Sequence, residues 1–237
     1  MVTIDILKKF FRGHISLHEP LAPYSSMKVG GTADYYIEPA DKADLVEIVK
    51  YFRQNEFPYM MIGRGSNLLI SDEGIRGAVI NTESGLSGVR MEKGFVIAEA
   101  GARLTKLVDF CIQNSLAGLE WAAGIPGTIG GGVIMNAGAH GREMSDLVVE
   151  VEILRGVEIV SVGKEHSQFA YRRSGFQRDI LLSATFRLSP GNKEEILKRK
   201  SELIARRNVT QPLDLPNSGS MFKNPPGTFA AKLIEQA

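Results

Sequence analysis

Apolar residues recur along this chain at two spacings, and the spacing predicts the elements. After Asp41, residues Leu45, Ile48, Val49 and Phe52 fall three or four apart, which places them on one helix face with Asp41 as the N-cap. Leu104, Leu107, Val108, Cys111 and Ile112 repeat the pattern and predict a helix over 103–115. Ile196, Leu197, Leu203 and Ile204 predict another over 193–207, with Asn192 and Glu195 as its opening signals. At the N-terminus Ile4, Leu7, Phe10 and Phe11 oppose Asp5, Lys8, Lys9 and Arg12, a short amphipathic helix expected to pack on its own domain rather than on a membrane surface. Between these segments lie short apolar runs bounded by turn residues, at 58–63, 77–81, 95–101 and 179–188. "DLVVEVEILRGVEIVSVG" reads as a hairpin turned at Arg155-Gly156, "LLIS" as a short extended piece, and "TFAAKLIEQA" as the opening of a last helix. Strands outnumber helices and often follow one another directly, so the expected class is α+β rather than a doubly wound parallel sheet.

One stretch fits neither spacing. "AGIPGTIGGGVIMNAGAHG", residues 123–141, holds seven of the chain's 25 glycines, and the only tryptophan, Trp121, lies just before it. A flexible linker is polar, whereas these glycines alternate with Ile125, Ile129, Val133, Ile134 and Met135, which want burial. The segment is therefore expected to be folded and to hold backbone close to something.

Composition narrows the chemistry. The chain has 237 residues, 43% hydrophobic and 23% charged, with a formal charge of +1. This balance gives no bulk attraction to nucleic acid. No apolar run is long enough to span a bilayer, so membrane insertion is not expected. A single cysteine, Cys111, excludes an internal disulfide and reads as core filler. His14 and His18 are four apart but have no evident third ligand, so no metal site is expected. A reduced, cytoplasmic protein is the default.

Familiar nucleotide fingerprints fail. "GRGSNL" begins G-x-G-x-x-G at Gly63 and Gly65 but has Leu68 at the third position. Gly163-Lys164 is followed by Glu165 and has Glu158 where a P-loop needs glycine. What remains is two glycine-rich turns, "IGRGSNLL" and "AGIPGTIGGG". Such turns can present clustered N–H groups to phosphate oxygens, with Ser66, Asn67 and Thr128 adding side-chain donors. Together they point to a nucleotide or dinucleotide; structural tight turns are the alternative.

The ordered segments "IGRGSNLLISDEGIRGAVI", "GLEWAAGIPGTIGGGVIMNAGAHGREMSD", "FAYRRSGF" and "NSGSMFKNP" resemble the UDP-N-acetylenolpyruvoylglucosamine reductase family from about Leu21 onward. The resemblance implies a two-subdomain FAD-binding fold of the vanillyl-alcohol-oxidase type, here 1–84 and 85–190, plus the start of a substrate-binding domain at 191–237. It implies non-covalent FAD, with His140 not used for attachment. The turn of Gly63, Arg64, Gly65, Ser66 and Asn67 would grip the pyrophosphate from one side. Gly124, Ile125, Pro126, Gly127, Thr128, Gly130 and Gly131 would grip it from the other, with Asn136, Ala137 and Gly138 along the flavin.

The implied reaction is reduction of an enolpyruvyl ether of a UDP-sugar with NADPH, in peptidoglycan precursor synthesis, by a monomer. Arg172 matches the family's catalytic arginine, which steadies an enolate through its carboxylate, and Ser220 its proton donor. Tyr171, Lys223 and Asn224 are candidate substrate-binding residues. The family pattern normally continues further and carries a catalytic Glu near its C-terminus. This chain ends at Ala237, so an impaired enzyme or a non-catalytic flavin-binding module stays open as the alternative.

Overall fold

The computed structural model describes residues 2–211 and 215–237. A single helical turn, α1 (Ile4–Leu7), precedes β1 (His14–Pro20), β2 (Thr32–Glu38), α2 (Lys42–Gln54), β3 (Tyr59–Ile62) and β4 (Ile75–Asn81). The strands form one sheet in the order β1-β2-β4-β3. β1 runs antiparallel to β2, while β4 is parallel to both β2 and β3. α2 forms where the stripe predicts it: the Asp41 carboxylate accepts from the Asp44 N–H at 2.9 Å, and Leu45, Ile48, Val49 and Phe52 are all buried.

β5 (Val89–Glu92) and β6 (Phe95–Glu99) begin a second sheet. Before it resumes, the chain makes α3 (Leu104–Gln113), β7 (Leu116–Ala117), α4 (Ile129–Ile134) and the small hairpin of β8 (Gly138–Ala139) and β9 (Arg142–Glu143). β10 (Val148–Arg155), β11 (Glu158–Gly163) and β12 (Ile180–Phe186) then complete the antiparallel order β11-β10-β12-β6-β5. β13 (Ser189–Pro190) pairs with β7, and α5 (Lys193–Thr210) and α6 (Ala230–Gln236) follow. The class is α+β.

β12 joins the two sheets, because a register irregularity between Leu181 and Ser183 in its pairing with β10 switches which core its side chains enter. Ile180 and Leu182 enter one core with α2, Ile37 and Ile80, and Leu181, Ala184 and Phe186 enter another with α3 and α4. A third, smaller cluster of Leu21, Tyr36, Ile62, Ile70 and Val79 lies beneath the Gly63–Asn67 turn.

Four sequence expectations shift. The 123–141 stretch contains a helix, α4, although glycine is a poor helix former. There the Ile129 and Gly130 N–H groups donate to the Ala102 and Ala100 carbonyls, each at 2.8 Å, so tertiary bonding overrides propensity. The β10–β11 turn is Gly156-Val157, one residue later than expected, because Arg155 pairs with Glu158. "LLIS" joins no ladder. Leu197 is exposed, since α5 buries its Ile196 side instead.

Candidate active site

The two glycine turns, about sixty residues apart in sequence, meet in space. The Ser66 hydroxyl donates to the Pro126 carbonyl at 3.2 Å. A Cβ on Gly63 would collide with the Thr128 side chain. Gly65 has φ +59 and sits so close to the Tyr24 carbonyl that no side chain fits there. Arg103, whose backbone bridges Thr128, donates to Glu83, and the same carboxylate takes Arg64 at 3.3 Å. Glu83 thereby ties a cation of the first turn to Arg103, whose backbone pairs with Thr128 of the second.

Beside these turns opens a cavity of about 470 Å³. Arg64, Gly124 and Pro126 supply one wall, Ser25, Ser26 and Lys28 a second, and Ile204, Arg207 and Asn208 of α5 a third. Burial lowers the Arg207 guanidinium below the usual arginine value, which still leaves it charged at neutral pH. A polar, cationic cleft with two backbone turns in or behind its wall suits a diphosphate.

α4 leads from this cavity to a second constellation. Its six residues rise about 9 Å at the usual 1.5 Å per residue. At its end Asn136 is fully buried with φ +43, its Nδ2 donating to the Ala170 carbonyl at 3.1 Å and its Oδ1 accepting from the Ser145 N–H at 3.0 Å. The Arg172 Nη2 donates to the Gly138 carbonyl at 2.9 Å, and its Nη1 to the Asn136 carbonyl at 3.5 Å. The guanidinium also lies 5.1 Å from the Tyr171 ring centroid. Arg172 itself has φ +56, a left-handed conformation that a bulky residue keeps only when its surroundings enforce it.

The comparisons with known proteins agree with one another. The family model described as "FAD binding domain" matches residues 33–163, and "UDP-N-acetylenolpyruvoylglucosamine reductase, C-terminal domain" matches 211–237. The reductase of that name from Caldanaerobacter subterraneus subsp. tengcongensis is 43% identical over the whole of this chain and 79% of its own length. The one from Chloroherpeton thalassium is 41% identical over 99% of this chain and 78% of its own. The chain belongs to the UDP-N-acetylenolpyruvoylglucosamine reductase family.

The crystal structure of the family's reductase from Thermus caldophilus superposes with a TM-score of 0.81 at 35% identity, over 96% of this chain and 80% of that one. A cholesterol oxidase from Brevibacterium sterolicum, 16% identical with a TM-score of 0.57 over 75% of this chain and 38% of its own, shares the fold alone. This reductase-family chain is thus an FAD-binding oxidoreductase of the vanillyl-alcohol-oxidase-type fold.

Its expected site residues fall in several places. Arg64, Gly124 and Pro126 line the cavity. Gly63, Gly65, Ser66 and Thr128 buttress the turns, and Ile125 packs on the core behind them. The Gly127 carbonyl accepts from the Leu104 N–H at 3.1 Å, and the Gly130 N–H donates to the Ala100 carbonyl at 2.8 Å. Gly131 and Asn67 are exposed, and Asn136, Ala137 and Gly138 gather at Arg172. Ser220 and Lys223 are exposed, in the segment between α5 and α6, and no hydrogen bond links either to Arg172 among the described residues. Asn224 accepts from the Ala230 N–H at 3.1 Å and caps α6.

Sequence reasoning missed Ser25, Ser26, Lys28, Glu83 and Arg207. The turn chemistry of "APYSSMKVGG" was the available signal for the first three; Glu83 and Arg207 gave none. No helix among the described residues is long and apolar enough to cross a membrane, and none of them form a cluster of metal-ligating side chains.

Proposed function

We propose that the chain reduces the enolpyruvyl ether of UDP-N-acetylglucosamine to UDP-N-acetylmuramate with NADPH, a step of peptidoglycan precursor synthesis. FAD, when bound non-covalently, supplies the two-electron relay between NADPH and the substrate double bond. Arg64, Gly124 and Pro126 would hold its diphosphate side, and Asn136, Ala137 and Gly138 its ring side. The observation that carries the reading is Arg172: a guanidinium fixed by the Gly138 carbonyl at 2.9 Å, at the end of the glycine segment.

As the vinyl terminal carbon of the substrate gains hydride, negative charge spreads from the carbon bearing the ether oxygen onto the pyruvyl carboxylate. A fixed guanidinium steadies that charge and stays protonated throughout. Ser220 would give its hydroxyl proton to the carbon bearing the ether oxygen, and Tyr171, Lys223 and Asn224 would bind the substrate's anionic groups.

The test starts with flavin. Purified chain should take up added FAD and then oxidise NADPH when the enolpyruvyl substrate is present. Ser220→Ala should leave flavin reduction by NADPH intact and lose about 10²-fold or more in turnover. Failure to take up FAD, or slowed flavin reduction in the variant, would overturn the assignment of cofactor site or of Ser220, respectively.

A further inference from the structure

A second cavity, of about 320 Å³, lies where the Glu120–Ala122 turn, the β8–β9 hairpin and α5 come together. It shares no lining residue with the cavity beside the glycine turns. Its floor is apolar, made by Trp121, Leu147, Leu188 and Leu203, and three exposed guanidiniums, Arg142, Arg187 and Arg199, stand at its edge. Arg142 is paired with Asp146 at 2.8 Å. Arg187 lies 5.5 Å from the centroid of the Phe95 ring, and neither it nor Arg199 has a carboxylate partner among the described residues. Glu120 is the one acid in the lining, and both of its oxygens accept from the Gly118 N–H, at 3.0 and 3.2 Å. The Trp121 indole nitrogen is the only buried side-chain polar atom without a hydrogen-bond partner among the described residues.

These features are complementary to one kind of molecule. Unpaired guanidiniums from two elements can fork onto phosphate oxygens. An apolar floor excludes water and accepts a ligand's apolar body, and the volume falls at the lower end of small-molecule sites. We propose that this cavity is a binding site for a phosphorylated small molecule of mononucleotide size, separate from the glycine-turn cavity and from Arg172. Its phosphate sits on Arg187 and Arg199, and its apolar part rests on Trp121, Leu147 and Leu203.

The chain's single tryptophan makes the site directly readable. The full chain, saturated with FAD so that the cofactor's own nucleotide site is filled, is titrated with adenosine 5′-monophosphate while Trp121 emission is followed. A saturable change is expected, with adenosine and inorganic phosphate each binding at least about tenfold more weakly, because each lacks half of the complementary chemistry. Arg187→Ala/Arg199→Ala should weaken the nucleotide about tenfold or more while FAD uptake stays unchanged. Arg90→Ala/Lys93→Ala, which removes the same charge from the exposed β5–β6 edge, should leave its affinity intact. No saturable response, equal affinity in the Arg187/Arg199 variant, or a response that disappears as FAD is raised would overturn the proposal.

Discussion

The surroundings of Arg172 and of Ser220 are built in opposite ways. Arg172 is half-buried and fixed by two backbone carbonyls and an aromatic ring, and its neighbour Asn136 is sealed in the core with both ends of its amide bonded. Ser220 stands exposed beside a local turn in which the Gly219 N–H donates to the Asn217 side chain at 3.2 Å, with Met221 and Phe222 both facing solvent. Electrostatic stabilisation depends on charges fixed before reaction, whereas a proton donor must be brought to within hydrogen-bond reach of its target carbon. In this fold the first requirement is met by tertiary bonds to Arg172, whereas the Ser220 side chain itself lies exposed.

The largest expected effect tests the closed side directly. Arg172→Ala should cut turnover about 10²–10³-fold, the range for losing one fixed charge-stabilising donor, while FAD uptake stays intact. Stopped-flow traces with separate flavin-reduction and substrate-reduction phases would check it. A loss confined to flavin reduction would instead place Arg172 with the cofactor.

Two glycines then compare the sides as structure. Gly65 and Gly219 both have positive φ, +59 and +72, but Gly65 abuts the Tyr24 carbonyl, whereas a Cβ on Gly219 would meet no atom within 4 Å. Gly65→Ala should therefore cost about 3 kcal/mol or more through clash added to backbone strain. Gly219→Ala should cost only the left-handed strain, about 1–2 kcal/mol, in denaturant unfolding. Equal costs would show that the closed side yields as readily as the open one.

The smallest effect uses Cys111, in the core shared by α3 and α4. Burial pushes its thiol up to about 12. The folded chain thus holds this proton more tightly than the unfolded chain. The contribution is complete below the ordinary thiol pKa and fades as pH rises from there toward 12. Thiol labelling of the folded protein at neutral pH should be negligible and should appear only on unfolding. Prompt labelling would mean that the closed side opens locally.

Much of this was legible in the chain. The stripes of α2 and α3 sit at helical spacing and bury as written, and the Asp41 and Asn192 caps bond as their residue types predict. Glycine density correctly signalled close backbone approach. Its target was less legible: Gly130 approaches the Ala100 backbone rather than solvent-facing space, and Gly132 packs toward Met144 and Leu104. Contacts with neighbours so distant along the chain carry no local periodicity. The same applies to Glu83, whose partners Arg64 and Arg103 lie about twenty residues away on either side. Leu197 failed because a helical stripe gives a face but not its width.

β12 presents Ile180 and Leu182 to one core and Leu181, Ala184 and Phe186 to the other. Neither core can melt without stripping side chains of the same strand. The two sheets should accordingly lose structure in a single calorimetric transition, and a cofactor gripped at the glycine turns would raise the melting temperature of residues that never touch it.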